Sequence, residues 1–183
     1  MSRLPRLERS EMTPEQARAY DEIASGPRGR VVGPLAVWVR IPELADHAQR
    51  VGAYCRFGTT LPGDLREFTI LIAGGHYRAQ FEWWAHEQLA LKEGLDPTII
   101  AAVKDGRRPE GASPEVGAIY DFCSELLADN RISDKTYETA RALFGDDQLI
   151  QITSIIGYYA LVAVTLNAFA IPLPDGAEPP FAD

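Results

Sequence analysis

The segment from Pro62 to Gly94 reads PGDLREFTILIAGGHYRAQFEWWAHEQLALKEG and predicts two consecutive helices. Pro62 begins the first, which extends to about Tyr77 and is apolar nearly all round in its middle. The second runs from about Ala79 to Glu93, and Gly94 is well placed to end it. Because a helix that is apolar on every face is buried, this segment predicts the centre of a helical bundle.

Helix start and stop signals continue on both sides of this segment. The further predicted helices cover about 14–24, 42–57, 97–105, 114–129, 134–144 and 146–171. The helix from Pro42 is amphipathic, and its predicted buried stripe consists of Leu44, Ala45, Ala48, Val51, Gly52 and Cys55. Only a few residues between Val31 and Val39 are open to an extended conformation. The sequence therefore predicts one all-α domain over residues 1–183, a bundle of about seven or eight helices.

Composition excludes several classes of partner. The net charge is −8 and the pI is near 4.9, and the 18 basic residues form no concentrated stripe, so we expect neither nucleic acid nor an anionic membrane surface as partner. Two cysteines cannot form a disulfide framework, and the first thirty residues contain no secretory apolar region. We therefore expect a cytoplasmic protein.

An uncharged stretch from Gln148 to Leu173 requires separate consideration. Its purely apolar part, from Ile155 to Val164, is too short to span a bilayer, which favours a buried helix over a membrane span. A single chain of this size has difficulty covering so much apolar surface, so we expect a homo-oligomer.

Candidate chemistry is concentrated between Glu67 and Glu87. Glu82 and His86 are four residues apart on one predicted helix, so they share a face and are able to hydrogen-bond. Glu67 lies on the neighbouring apolar helix, where a buried carboxylate needs a partner, and His86 is the natural candidate. Such an arrangement holds an imidazole in one tautomer and tunes its pKa, as a general acid or base near neutral pH requires.

The same residues resemble the carboxymuconolactone decarboxylase family, whose all-helical superfamily includes the alkylhydroperoxidase D-type peroxidases. The likeness rests on Leu61-Pro62, on Leu65-Arg66-Glu67, on residues 81–87 (FEWWAHE) and on Gly94-Leu95. Flanking matches, such as Pro42-Glu43-Leu44-Ala45 and Tyr158-Tyr159, extend it over most of the chain. The resemblance implies the superfamily's helical fold and a trimer or hexamer.

The chain departs from the peroxidase branch of that superfamily. There the resemblance implies a glutamate, a Cys-x-x-Cys pair and a histidine that relay protons. Glu67 and His86 match the ends of this relay, whereas Ala79 and Glu82 occupy the two cysteine positions. Because a thiolate is the nucleophile that attacks peroxide, this mechanism is lost. Cys55 and Cys123 lie on other predicted helices without Cys-x-x-Cys spacing.

The remaining residues fit a cofactor-free lyase or proton-transfer enzyme acting on a small carboxylated lactone or ring compound. We assign His86 as proton donor, Glu67 as the group that orients it, and Glu82 as a second carboxylate that raises its pKa. Arg28, Arg30 and Arg40 are the available cations for a carboxylated substrate, with Arg30 the main candidate. Trp83 and Tyr77 are further candidates for contact with the substrate, the alternative being core or subunit interface.

Three alternatives compete with this hypothesis. A metal site is disfavoured because Ala90 stands where a zincin places its second histidine, and His76 is ten residues upstream of His86. The loop GPRGRVVG (26–33) has neither dinucleotide-binding nor P-loop spacing. A non-catalytic oligomeric binding or scaffold protein, and a peroxidase-related protein that has lost its cysteines, stay open. An enzyme needs a solvent-connected pocket that contains both Glu67 and His86, whereas a scaffold packs them dry or turns them towards bulk water.

Overall fold

The structure, a computed structural model, describes residues 2–182 and is all-helical over that range. A short 3₁₀ turn (Arg9–Glu11) precedes the first helix, and a π-helical turn (Tyr54–Gly58) extends the third. The eight α-helices of the described residues are α1 (Pro14–Ser25), α2 (Pro34–Trp38), α3 (Pro42–Ala53), α4 (Gly63–His76), α5 (Gln80–Lys92), α6 (Pro97–Lys104), α7 (Pro114–Asp129) and α8 (Asp134–Ala168).

Helix α4 is the centre of the bundle and packs against α5, α6, α7 and α8. Its residues are buried on every side, with Phe68, Ile70 and Leu71 fully inaccessible. This confirms the prediction from its apolar sequence, because such a helix is stable only when neighbours cover its whole circumference.

The helix ends follow the signals in the sequence. Thr13 and Gln16 form a reciprocal capping box at the start of α1, and Ser113 and Ser133 cap α7 and α8. Gly145, with φ of 67°, interrupts α8 where the sequence predicts two separate helices. Glycine adopts this left-handed conformation without the steric cost that other residues carry.

The extended conformation left open between Val31 and Val39 is not adopted by residues 34–38, which form helix α2, because Pro34 at the first helical position starts a helical turn that buries Leu35 and Trp38. One local prediction, on α3, is wrong. In the stripe predicted on α3, Leu44 and Val51 are 40% and 50% exposed. The buried side of α3 consists of the small residues Ala45, Ala48 and Gly52, which allow a close approach to the bundle.

Helix α8 is a core helix of the bundle. Helix α8 is long and apolar enough to span a membrane by length and composition alone, but 61% of its most apolar window is buried in the fold, as in the core helix of a soluble protein.

The tail after Pro174 is held against the bundle, because Phe181 is buried and its ring packs edge to face on Trp83 at 5.2 Å.

Candidate active site

Glu67 and His86 form a buried pair between α4 and α5. Nδ1 of His86 lies 2.6 Å from Oε2 of Glu67. Glu67 is 3% exposed and His86 is 6% exposed. Arg66 also approaches the carboxylate, with 3.5 Å between its Nε and Oε1 of Glu67. The structure therefore brings together the two side chains that the sequence analysis paired across neighbouring helices.

The environment of the pair sets its protonation. Burial lowers the pKa of His86 below its ordinary value, and the hydrogen bond to Glu67 only partly opposes this. Burial alone would raise the pKa of Glu67, but the hydrogen bond with His86 and the nearby Arg56 and Arg66 bring it below the ordinary value. An ionised Glu67 accepts a hydrogen bond from Nδ1–H of a neutral His86, which leaves Nε2 unprotonated.

His86 forms part of the wall of a cavity of about 550 Å³. The cavity is enclosed by the loop after α1, by the π-helical turn, by α5 and by α8. Its polar and charged lining residues are Arg28, Arg30, Arg56, Glu82, His86, Gln88, Lys92, Tyr158 and Tyr159. The expectation that the pocket contains both members of the pair is met only for His86, because Glu67 is not among the lining residues and contacts the imidazole from the protein side. The volume lies within the range typical of small-molecule sites.

Glu82 also lines the cavity, but its environment differs from the expectation. Its carboxyl oxygens are buried and have no hydrogen-bond partner within residues 2–182. The expected bond between Glu82 and His86 is absent there, because the imidazole is turned towards Glu67. Burial raises the pKa of Glu82 well above its ordinary value, so the neutral carboxylic acid is favoured. Glu82 is not among the groups that shift the pKa of His86, which are Glu67, Arg56 and Arg28 besides burial, so the structure gives no support to the expected role of Glu82 in raising that pKa.

The other predicted contact residues divide into two groups. Arg28 and Arg30 line the cavity, whereas Arg40 lies outside it and its guanidinium donates to the carbonyl of Pro5. Trp83 and Tyr77 also lie outside the cavity. Trp83 is fully buried and faces Phe181, and Tyr77 follows the end of α4, where its carbonyl accepts a bond from Asn167. The predicted contacts of Trp83 and Tyr77 with a substrate in this cavity are thus not formed; Trp84 is the tryptophan that lines it.

Five polar or charged lining residues were missed in the sequence, and these are Arg56, Gln88, Lys92, Tyr158 and Tyr159. Arg56 follows an amphipathic helix and carries no local signal for a site. Tyr158 and Tyr159 lie in an uncharged helix, where aromatic residues are usually core, yet the ring of Tyr159 packs edge to face on His86 at 4.9 Å. The only sequence signal was the family resemblance, which included Tyr158-Tyr159 without a role.

Neither cysteine lies at the cavity. Both are free and buried, and Sγ of Cys55 is 3.7 Å from the carbonyl oxygen of Ser154. Burial raises the pKa of Cys55 to about 11 and also raises that of Cys123. Residues 2–182 bring together no group of three or more His, Cys, Asp or Glu side chains suited to a metal ion.

The arrangement of the helices is that of the alkylhydroperoxidase D-like proteins. An alkylhydroperoxidase AhpD core protein from Ralstonia eutropha, described as an uncharacterized peroxidase-related protein, superposes with a TM-score of 0.78 at 16% identity, over 95% of this chain and 93% of that chain. A peroxidase-related protein from a Silicibacter species also gives 0.78, at 17% identity, over 95% of this chain and 92% of that chain. The fold class expected from the resemblance is confirmed.

A third structure, a protein of unknown function from Agrobacterium tumefaciens, gives a TM-score of 0.68 at 18% identity, over 75% of this chain and 95% of that chain. No protein-family model and no curated protein matches the sequence. At these identities the comparisons establish the fold, and the chemistry has to be argued from the site.

Proposed function

We propose that this protein is a cofactor-free proton-transfer enzyme, a lyase or isomerase-like enzyme, that acts on a small carboxylated lactone or ring compound. The observation that carries the proposal is the His86 ring, which Glu67 holds through Nδ1 at the wall of an open cavity. A positioned imidazole is the commonest general acid or base, and its contribution is typically about 10²–10⁴-fold in rate.

Because the lowered pKa of His86 favours the neutral imidazole in the resting protein, His86 first acts as a general base. Neutral Nε2 removes a proton from a carbon next to a carbonyl group, and the electron pair of the broken C–H bond moves onto the carbonyl oxygen. The imidazolium, stabilised by Glu67, then returns the proton to carbon. Return to a different carbon of the conjugated system gives an isomerase.

Decarboxylation uses the same groups in another order. The bond to the departing CO2 breaks, its electron pair moves into the conjugated carbonyl, and His86 donates a proton to carbon. This sequence consumes one solvent proton per turnover and requires the imidazolium at the start. Bound carboxylates favour that charged form.

Charge at the cavity supports a carboxylated substrate. Arg28, Arg30, Arg56 and Lys92 all line it, and none forms an ion pair within residues 2–182. The chain as a whole has 26 acidic against 18 basic residues, so four unpaired cations at one cavity are not explained by composition. Glu82 is the one acidic lining residue, and its neutral form is favoured. An anionic ligand would supply the missing negative charge.

The peroxidase-related alternative lacks a nucleophile at the site. Ala79 and Glu82 stand at the positions of the redox pair, and Cys55 and Cys123 have raised pKa values that oppose thiolate formation. Peroxide reduction that depends on Cys55 or Cys123 would restore that alternative. A non-catalytic scaffold does not account for an unpaired cationic cavity, whereas a non-catalytic binding protein for a small anion does, and turnover distinguishes that binding protein from the enzyme.

The proposal includes a cytoplasmic homo-oligomer, a trimer or hexamer, without nucleic-acid or membrane partners. Support for self-association comes from large apolar side chains exposed on the part of α8 that follows Gly145, which are Ile150, Leu161 and Val164.

The experiment is a screen of unsaturated lactone acids and cyclic keto acids in D2O, followed by NMR for deuterium incorporation and by CO2 detection. We expect turnover of at least one compound, and a loss of at least about 100-fold in His86→Gln with unchanged circular dichroism. His47→Gln, at an exposed histidine, is the matched control and should retain full activity. Undiminished turnover in His86→Gln would remove His86 from the mechanism.

A further inference from the structure

Two polar side chains of the cavity lining, Arg28 and Tyr158, form no side-chain hydrogen bond within residues 2–182. Nε and Nη2 of Arg28 are buried there without a partner, although the residue as a whole is half-buried. Tyr158, on α8, is 7% exposed, and its hydroxyl is not among the fully buried unpartnered atoms. A buried donor without a partner is costly, so the two Arg28 nitrogens would gain from an acceptor oxygen on a ligand.

The two donors lie close together, against α3. The hydroxyl of Tyr158 and Nη2 of Arg28 both lie directly against the Cα of Gly52 on α3, so that a methyl group at this position would collide with both. Gly52 therefore creates the space in which the guanidinium and the phenol come together. Both residues line the cavity that His86 also lines.

Arg28, Tyr158 and His86 line the same cavity and are placed so that one bound molecule contacts all three. The ring of Tyr159 lies between His86 and Tyr158 and packs edge to face on both, with ring centroids 4.9 Å from His86 and 5.4 Å from Tyr158. The positive charge of Arg28 is close enough to disfavour the imidazolium form of His86. A compound in contact with Nε2 of His86 thus has these donors within the same cavity.

Both groups are hydrogen-bond donors at neutral pH. Burial raises the pKa of Tyr158 to about 12, so the phenol keeps its proton. Arginine is always charged and has no acceptor atoms. Two donors fixed in a water-poor wall suit an oxygen on which negative charge develops, because such donors need little reorganisation when the charge appears.

We propose that Arg28 and Tyr158 form an oxyanion-binding site that stabilises the enolate oxygen of the substrate. This inference rests on the proposed function and assigns the groups that receive the displaced electron pair. When His86 takes the proton from carbon, the former C–H pair forms the enolate, and its oxygen accepts hydrogen bonds from Arg28 and Tyr158. Both bonds weaken when the proton returns to carbon and the carbonyl is restored.

The assignment also distinguishes three of the four cations of the cavity. Arg30 and Lys92 are exposed and are suited to attract a carboxylate that stays partly in water. Arg28 is the cation with buried, unpartnered nitrogens, where hydrogen bonds to a charged oxygen are strongest. We therefore place the substrate's carboxylate towards Arg30 and Lys92 and its enolisable carbonyl at Arg28 and Tyr158.

The test uses 4-nitrophenol, whose phenolate imitates an enolate oxygen and absorbs visible light. We expect the wild type to bind the phenolate in preference to the neutral phenol, which lowers the apparent pKa of the probe on binding. Tyr158→Phe and Arg28→Met should each weaken phenolate binding by about tenfold or more, the range for a hydrogen bond to a charged group. Gly52→Ala, which keeps both donors but displaces them, should also weaken it.

Matched substitutions at exposed positions are Tyr137→Phe and Arg50→Met, and both should bind the phenolate as the wild type does. Circular dichroism and thermal melting establish that each variant is folded. The proposal is overturned if the wild type binds no phenolate, if it prefers the neutral phenol, or if Tyr158→Phe and Arg28→Met bind the phenolate as tightly as the controls.

Failure of the proposed function gives a different pattern. His86→Gln should lose turnover while it still binds 4-nitrophenolate, because the imidazole is not one of the two donors. Absence of turnover in the wild type, together with phenolate binding that depends on Arg28 and Tyr158, would reject the proton-transfer reaction and retain the anion site. Where turnover is found, Tyr158→Phe should lower kcat by about 10²-fold with a smaller change in KM, as loss of an oxyanion donor does.

Discussion

The imidazole of His86 donates from Nδ1 to Oε2 of Glu67 over 2.6 Å, although the two residues are 19 positions apart and lie on different helices. Both are almost completely buried, and only the imidazole reaches the cavity. The pair therefore has one member in contact with the cavity and one that fixes its orientation and charge. This arrangement sets the protonation state of both side chains.

The titration of His86 depends on its burial and on its bond to Glu67. We predict that it is neutral at pH 7, with a midpoint below its ordinary value of 6.5, because burial disfavours the imidazolium. Glu67→Gln should lower the midpoint further, since an amide does not stabilise the positive charge as a carboxylate does. Nitrogen NMR measures this, with His86→Gln used to assign the signal among the three histidines. A higher midpoint in Glu67→Gln than in the wild type would contradict the role given to Glu67.

Glu82→Gln should stabilise the protein at neutral and alkaline pH. Because the native pKa of Glu82 is raised, the native state holds a proton that the unfolded chain has released above its ordinary pKa of 4.5. The wild type should therefore lose unfolding free energy, relative to Glu82→Gln, as pH rises from 4.5 to the native pKa. The loss approaches about 1.4 kcal/mol per unit of pKa difference.

Urea unfolding at several pH values measures this difference. Glu87→Gln, a substitution on the same helix at a residue that does not line the cavity, is the control, and because it keeps Glu82 its unfolding free energy should fall with pH as that of the wild type does. Equal pH dependence of Glu82→Gln and the wild type would mean that Glu82 is ionised in the native state.

Phe181→Ala should release the C-terminal tail. The ring packs on Trp83, the backbone N–H of Phe181 donates to Gln80, and its carbonyl accepts from the side chain of the same Gln80. Loss of a buried phenylalanine costs about 3–5 kcal/mol, and opening of the tail limits the loss to the stability of that segment. Hydrogen exchange should rise in residues 171–182 and stay unchanged in α4. Leu143→Ala, at a 41% exposed residue, is the control.

Leu161→Glu should disrupt self-association. Leu161 is 43% exposed on the apolar side of α8, where a charge in a dry subunit contact would be costly. Size-exclusion chromatography with light scattering should show an oligomer for the wild type and a smaller species for the variant. Leu143→Glu, near the other end of α8, should keep the oligomer. A monomeric wild type would reject the expected assembly.

Much of the helical framework could be predicted because its signals are local. Thr13 with Gln16, and Ser113 and Ser133, each satisfy backbone groups a few residues away, so they indicate a helix start without knowledge of the rest of the chain. The all-round apolar character of α4 likewise required burial wherever the helix lay. The errors at Leu44 and Val51 arose because a periodic pattern shows that a helix has an apolar side, but not how much of that side its neighbours cover.

The site divides in the same way. From the sequence alone came the residue types, the neighbourhood of Glu67 and His86, and the absence of cysteines at the positions where a peroxidase of this superfamily needs them. Only the tertiary structure decided that His86 turns to Glu67 and away from Glu82, that Trp83 faces the core, and that Arg56 and Tyr158 join the cavity. These outcomes depend on which helix faces are opposed and on how closely a glycine such as Gly52 lets them approach, and packing between segments distant in sequence sets both.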